Sequence, residues 1–208
     1  MIEYVIAENP DDRILSRASE FLKDGQLVCF PTDTNWIVVC DPFSKGGTER
    51  LYRLKGEDRG KHFSLLCDGI SMASEWAVIH DSSYRLIRTR VPGHYTFIFE
   101  AQKKITKALK ASKADREVGL RIPPVTHVLK LLEVHGGALL STNLTNEMVN
   151  VDLEQELYSF QIEESLGSAI ALIIDPGEYE FVGSSTIIDF SQGDAPVLIR
   201  EGAGKVFF

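Results

Sequence analysis

The chain is short of cysteine, with Cys29, Cys40 and Cys67 as its only three in 208 residues. Each sits in or beside an apolar run, and none has the spacing of a zinc-ligand pair. Buried reduced thiols are therefore expected, and a disulfide framework or structural zinc site is not. The histidines, His62, His80, His94, His127 and His135, also lack metal-pair spacing, so no metal ligands are assigned. No apolar run approaches the roughly 20 residues of a membrane-spanning helix. The start, Met1-Ile2-Glu3-Tyr4-Val5-Ile6, has neither the basic beginning nor the long apolar stretch of a signal peptide. The expectation is a cytoplasmic protein without a membrane partner. There is no Walker loop, because Gly202-Ala203-Gly204-Lys205 leads no helix, and no serine or cysteine occupies a nucleophile elbow. The sequence therefore fits poorly with a triad hydrolase.

What is present is an ordinary globular composition, 44% hydrophobic and 25% charged, with a net charge of −8. The charge argues against wholesale nucleic-acid binding, but it is uneven. Lys103, Lys104, Lys107, Lys110, Lys113, Arg116 and Arg121 face only Asp115 and Glu117 over one stretch, whereas Glu147 to Glu180 carries no Lys or Arg. The basic stretch reads either as a solvated helix or as a local basic face. The length suits a single domain over residues 1–208.

Short apolar strands alternate with amphipathic helices, which predicts an α/β fold. Asn9-Pro10-Asp11-Asp12 opens a helix with Ile14, Leu15, Ala18, Phe21 and Leu22 on one face, and Gly25 ends it. Strands are expected at Leu27–Phe30, Trp36–Cys40, Phe63–Cys67, Tyr95–Phe99, Val118–Ile122, Ala138–Leu140, Ala169–Ile174, Ser185–Phe190 and Val197–Arg200. Helices are expected at 47–55, 70–78, 82–90 (capped by Asp81), 103–110 and 125–135, and in part of 146–167.

Pro31 cannot donate to a sheet ladder, so the strand before it should end there. Thr32-Asp33-Thr34 beyond it reads either as a turn or as a ligand loop, since Thr and Asp serve both. Other strand ends carry Lys55–Lys61, Arg121, Ser141–Asn143, Ser185-Thr186 and Arg200. Their convergence would make one composite site. Arg offers a planar fork for phosphate or carboxylate, Lys a compact charge, and the hydroxyls neutral hydrogen bonds. That inventory fits a nucleoside triphosphate bound together with a carboxylate ligand.

Eight segments, in order and spanning nearly the whole chain, resemble motifs of the YrdC/YciO family. They are Phe30-Pro31-Thr32-Asp33-Thr34, Leu51-Tyr52-Arg53-Leu54-Lys55-Gly56, Lys61-His62-Phe63-Ser64-Leu65-Leu66 and Pro92-Gly93-His94-Tyr95-Thr96-Phe97. The others are Val118-Gly119-Leu120-Arg121-Ile122-Pro123, Leu140-Ser141-Thr142-Asn143, Ser185-Thr186-Ile187-Ile188-Asp189 and Ile199-Arg200-Glu201-Gly202. The Pro-Gly-x-Tyr-Thr-Phe form is closer to the YciO branch. The resemblance implies a twisted mixed β-sheet with flanking helices and a concave basic groove. It implies conversion of L-threonine, bicarbonate and ATP, with magnesium, into threonylcarbamoyl-adenylate for tRNA modification. It equally implies the alternative of a protein that binds double-stranded RNA, tRNA or the ribosome without synthase activity.

By the same resemblance, Thr34 contacts threonine or carbamate, and Lys55 and Lys61 contact phosphates. Arg121, Ser141 and Asn143 contact nucleotide or phosphate, and Ser185 and Arg200 close the pocket. Thr32, Arg59 and Ser64 complete the expected binding set. The chain also departs from the synthase pattern. Glu57 stands where that pattern has an arginine, with Arg59 two residues on, and the Ser-x-Asn pair is altered. Ile37 and Val39 replace glycines, which predicts a blocked backbone approach at Trp36.

Overall fold

The computed structural model describes residues 1–56, 63–108, 116–193 and 195–208, with backbone alone at 106–108. The elements in chain order are β1 (Ile2–Tyr4), α1 (Asp12–Lys23), β2 (Val28–Pro31), β3 (Trp36–Cys40), α2 (Lys45–Lys55) and β4 (Ser64–Leu66). Then come α3 (Ile70–Ser74), α4 (Asp81–Ile87), β5 (Tyr95–Glu100), α5 (Lys103–Ala108), β6 (Glu117–Arg121) and α6 (Thr126–His135). The last are β7 (Leu139–Asn143), α7 (Asn146–Val149), α8 (Ser159–Leu166), β8 (Leu172–Asp175), β9 (Thr186–Asp189) and β10 (Val197–Arg200).

The ten strands form one mixed sheet in the order β1-β8-β2-β3-β7-β4-β6-β5-β9-β10. Strand β8 runs parallel to both β1 and β2, and β4–β6 and β5–β9 are also parallel. The β2–β3, β3–β7, β4–β7, β5–β6 and β9–β10 pairs are antiparallel. The alternation of strands and helices read from the sequence is thus an α/β mixed sheet with flanking helices.

The central strands are apolar throughout because both their faces are covered. On one face, Val28, Phe30, Ile37 and Val39 pack with Leu15, Ala18 and Leu22 of α1 and Val128, Leu131 and Leu132 of α6. On the other, Cys29, Trp36, Val38 and Cys40 belong to a larger core that runs out to Phe97, Phe99 and Ile188. Ile37 and Val39 therefore fill the layer beneath the helices. By the period-2 alternation of the strand they lie on the face opposite Trp36, which is itself fully buried. The three thiols are free and buried, and burial pushes each well above its ordinary pKa.

Helix α1 starts where Asp11 accepts the Arg13 backbone N–H at 2.8 Å, and it stops before Gly25, whose φ of +73° continues no right-handed helix. Other boundaries differ from expectation. Helix α3 stops at Ser74 because Ala77 bridges to Ala101 and the Val78 N–H turns to the Glu100 carbonyl. Asp81 is the first residue of α4, and His80 stands at the cap without a side-chain bond. No helix among the described residues is long and apolar enough to cross a membrane.

Candidate functional site

A cavity of about 510 Å³ opens where β5, β6, β9 and β10 meet the loop between β2 and β3. Its polar wall holds Thr34, Ser64, Arg121, Asn143, Ser185 and Arg200. Ile98, Val118, Ile187 and Ile199 make the apolar part, with Glu117 among them. The volume falls within the range of small-molecule sites, and the mix of an apolar lining with a few convergent polar groups is their usual chemistry.

The β2–β3 hairpin supplies one side. Pro31 is the last residue of β2 and lies opposite Trp36. In the loop between them, Thr32 Oγ1 donates to the Asn35 carbonyl at 3.0 Å and accepts the Thr34 N–H at 3.2 Å. Asn35 Nδ2 donates to the Leu144 carbonyl at 2.8 Å, tying the loop to the end of β7. Thr32 is consequently buried as a turn former and lines the neighbouring cleft, whereas Thr34 faces the cavity. Thr32 thus does the turn work, and Thr34 is the loop threonine that reaches the cavity.

Asp33, between them, has a side chain only 4% exposed. One carboxylate oxygen accepts from Arg121 Nη2 at 2.8 Å, and the other lies 2.7 Å from His94 Nδ1. Arg121 is itself buried at the end of β6, and its Nε has no hydrogen-bond partner. Burial lowers the Arg121 pKa, the charge of Asp33 opposes that, and nearby Arg200 depresses it further. A buried guanidinium with an unused donor, facing a second arginine, is the arrangement that an anion relieves.

The opposite wall is built by β9 and β10. Arg200 donates from Nε and Nη2 to the Ser185 carbonyl at 3.1 and 2.8 Å. Ser185 Oγ lies 2.8 Å from Thr96 Oγ1 of β5. The chain after β10 passes close by, and the Gly202 N–H donates to Thr186 Oγ1 at 2.9 Å.

The other expected residues divide. Ser141 sits inside β7, not beyond it, and its hydroxyl donates to the Ser64 carbonyl at 2.8 Å across the sheet. Its hydroxyl is thus engaged in a strand-to-strand bond, and Ser141 is not among the residues that line the cavity. Lys55 ends α2 with Nζ 4.2 Å from the ring centre of Phe63, a cavity residue, without lining the cavity itself. Arg59 and Lys61 lie outside the described residues, as do Glu57 and His62. Asp33, His94, Thr96 and Glu117 were not among the expected site residues. Asp33 and His94 stood within quoted motifs, but their pairing spans sixty-one positions, which no local pattern discloses.

His127 supports the loop from behind. Its Nε2 lies 2.9 Å from the Pro31 carbonyl, and Nδ1 has no partner. Burial holds its pKa below the ordinary histidine value, against the smaller effect of the Pro31 bond. Protonation would place a charge in the core and a proton on Nδ1 with no acceptor. The unfolded chain binds that proton more readily, so stability is complete above the unfolded histidine pKa of about 6.5 and is lost as pH falls below it. Thermal denaturation from pH 8 to pH 5 should therefore show a falling midpoint below about pH 6.5. The slope should be shallower in a His127→Gln variant; an identical slope would assign it to other groups.

The family described as telomere recombination (Sua5, yciO, yrdC) matches residues 20–202. YciO of Escherichia coli K12 is 31% identical over 98% of this chain and 96% of its own length. The crystal structure of E. coli YciO superposes with a TM-score of 0.85 at 30% identity, covering 99% of this chain and 97% of that one. The mouse (Mus musculus) threonylcarbamoyl-AMP synthase is 28% identical over 87% of this chain and 64% of its own length. P. abyssi Sua5, solved in complex with L-threonine, shares the fold with a TM-score of 0.81 at 22% identity, covering 97% of this chain and 57% of that one.

Proposed function

Because the chain belongs to the Sua5/YciO/YrdC family, we propose that its cavity is an adenylate-forming site of the threonylcarbamoyl-AMP synthase type, or of a diverged relative, serving tRNA threonylcarbamoyladenosine formation. The observation that carries this reading is the buried Arg121, with an unsatisfied Nε, facing Arg200 across a cavity that also presents the Thr34 and Ser185 side chains. The name of the mouse synthase and the L-threonine complex of P. abyssi Sua5 support the substrate choice.

In this reading, the threonine amine and bicarbonate combine with loss of water to a carbamate, and an oxygen of that N-carboxylate attacks the α-phosphorus of ATP. The bond from that phosphorus to the bridging oxygen breaks, and pyrophosphate leaves with the electron pair. Arg121 and Arg200 neutralise charge developing on the phosphates, a contribution of positioned electrostatics that needs no covalent intermediate. Thr34 orients the amino-acid portion, and the nucleoside lies against Ile98, Val118 and Ile187. Among the described residues no group of three or more His, Cys, Asp or Glu is placed to hold a metal ion. Magnesium enters as part of the ATP complex.

The test is pyrophosphate release from ATP–magnesium with L-threonine and bicarbonate supplied together and singly. Release that requires both is the expected outcome. A protein that binds ATP yet releases no pyrophosphate in response to threonine would overturn the assignment.

A further inference from the structure

Between Lys130 and Arg200 the chain contains no Lys or Arg. The same span holds Leu153, Tyr158, Phe160, Phe181 and Val182, exposed by 85%, 47%, 59%, 38% and 49%. They come from two segments, one leading into α8 and one between β8 and β9. These segments touch: Tyr179 Oη and Trp36 Nε1 lie 3.0 and 2.9 Å from the same Leu157 carbonyl. Tyr158 stacks on Phe160 with centroids 5.9 Å apart, and Tyr179 packs on Phe181 at 5.1 Å. Glu154, Glu156, Glu178 and Glu180 are exposed beside these rings. The patch also borders the cavity, since the Val182 N–H donates to the Asp33 carbonyl at 2.9 Å and Ser184 lines the cavity wall.

Large apolar side chains gathered on one face mark an interaction surface more than chance exposure does. The charged side chains that these two segments themselves carry are all acidic, which selects the partner. A polyanion such as RNA is repelled, while a cation gains both from the carboxylates and from the faces of the Tyr158 and Phe160 rings. The geometry points to this face as the docking site for a lysine- or arginine-rich protein segment that also carries aliphatic side chains.

The experiment is a titration of ¹⁵N-labelled protein with a synthetic peptide of alternating lysine and leucine, followed by backbone chemical shifts. Shifts should concentrate at residues 153–160 and 178–182, and affinity should fall as salt rises. It should also fall about tenfold in a Tyr158→Ser/Phe160→Ser variant, the loss of an aromatic anchor, and by a similar factor in Glu154→Gln/Glu156→Gln. These positions are exposed, so circular dichroism should be unchanged. The proposal is overturned by an absence of shifts or shifts that map elsewhere, by an undiminished affinity in both variants, by equal binding of a glutamate–leucine peptide, or by binding of duplex RNA at these residues. Self-association through the same residues, seen by sedimentation without peptide, would overturn it by making a second copy the occupant.

Discussion

Replacing Arg121 with alanine is expected to abolish anion binding in the cavity and to destabilise the fold by about 3–5 kcal/mol. The stability loss comes from Asp33. Its carboxylate is almost entirely buried and has Arg121 and His94 as partners. Removing the guanidinium leaves a buried carboxylate with His94 as its one remaining side-chain partner. The binding loss has a separate cause, the unused Nε and the cation itself. A double variant, Asp33→Asn with Arg121→Met, separates the two. Urea unfolding should recover most of the lost stability because no buried charge remains, while pyrophosphate binding measured by calorimetry should stay absent. Recovery of binding in the double variant would show that Arg121 serves the fold and not the ligand.

Gly202→Ala is expected to weaken ligand binding about tenfold and to cost about 1–3 kcal/mol, although Gly202 does not line the cavity. A Cβ at this position would lie 2.1 Å from the Ser184 carbonyl oxygen and 2.7 Å from the Ser185 carbonyl carbon. Both are backbone atoms, so neither can swing aside. Relief requires the start of β9 to move, and with it the carbonyl that holds Arg200. Gly46→Ala provides the contrast. Nothing lies within 4 Å of a Cβ there, and the residue is inside α2, so that change should be neutral or stabilising by up to about 1 kcal/mol. Melting and nucleotide titration of the two variants side by side check the pair. Equal behaviour would mean that the close passage over Ser184 is not rigid.

The Gly202 case also shows what the sequence could disclose. Gly202-Ala203-Gly204-Lys205 invited comparison with a phosphate loop and failed it for want of a helix. The actual reason for two of its glycines is lateral crowding, against Ser184–Ser185 for Gly202 and against the Tyr95 ring for Gly204. Such crowding involves residues distant in sequence and leaves no local trace. Strand Trp36–Cys40 and the halt at Pro31 were legible because apolar composition and a missing N–H act locally. Ser141 was misplaced because an apolar run turning polar looks like a strand leaving the sheet. In fact β7 continues between β3 and β4, and Ser141 pairs sideways. Arg121 was legible as a cation at a strand end and Asp33 as the anion of the loop, but their pairing was not, since only the sheet order brings β6 to the β2–β3 loop.

The strand order carries a consequence for how the molecule is made. Strand β8 must insert between β1 and β2, and β9 must join β5, about ninety positions earlier. A chain emerging from its N-terminus can form the hairpin of β2 and β3 and set Arg121 on Asp33 well before β9 and β10 exist. The cavity wall with Ser185 and Arg200 is then the last to arrive, closing over a half-site already in place. Pairings this remote in sequence favour slow folding and a long-lived open intermediate. During that interval the uncovered edge of β5 is the surface where a growing chain is most exposed to wrong pairing.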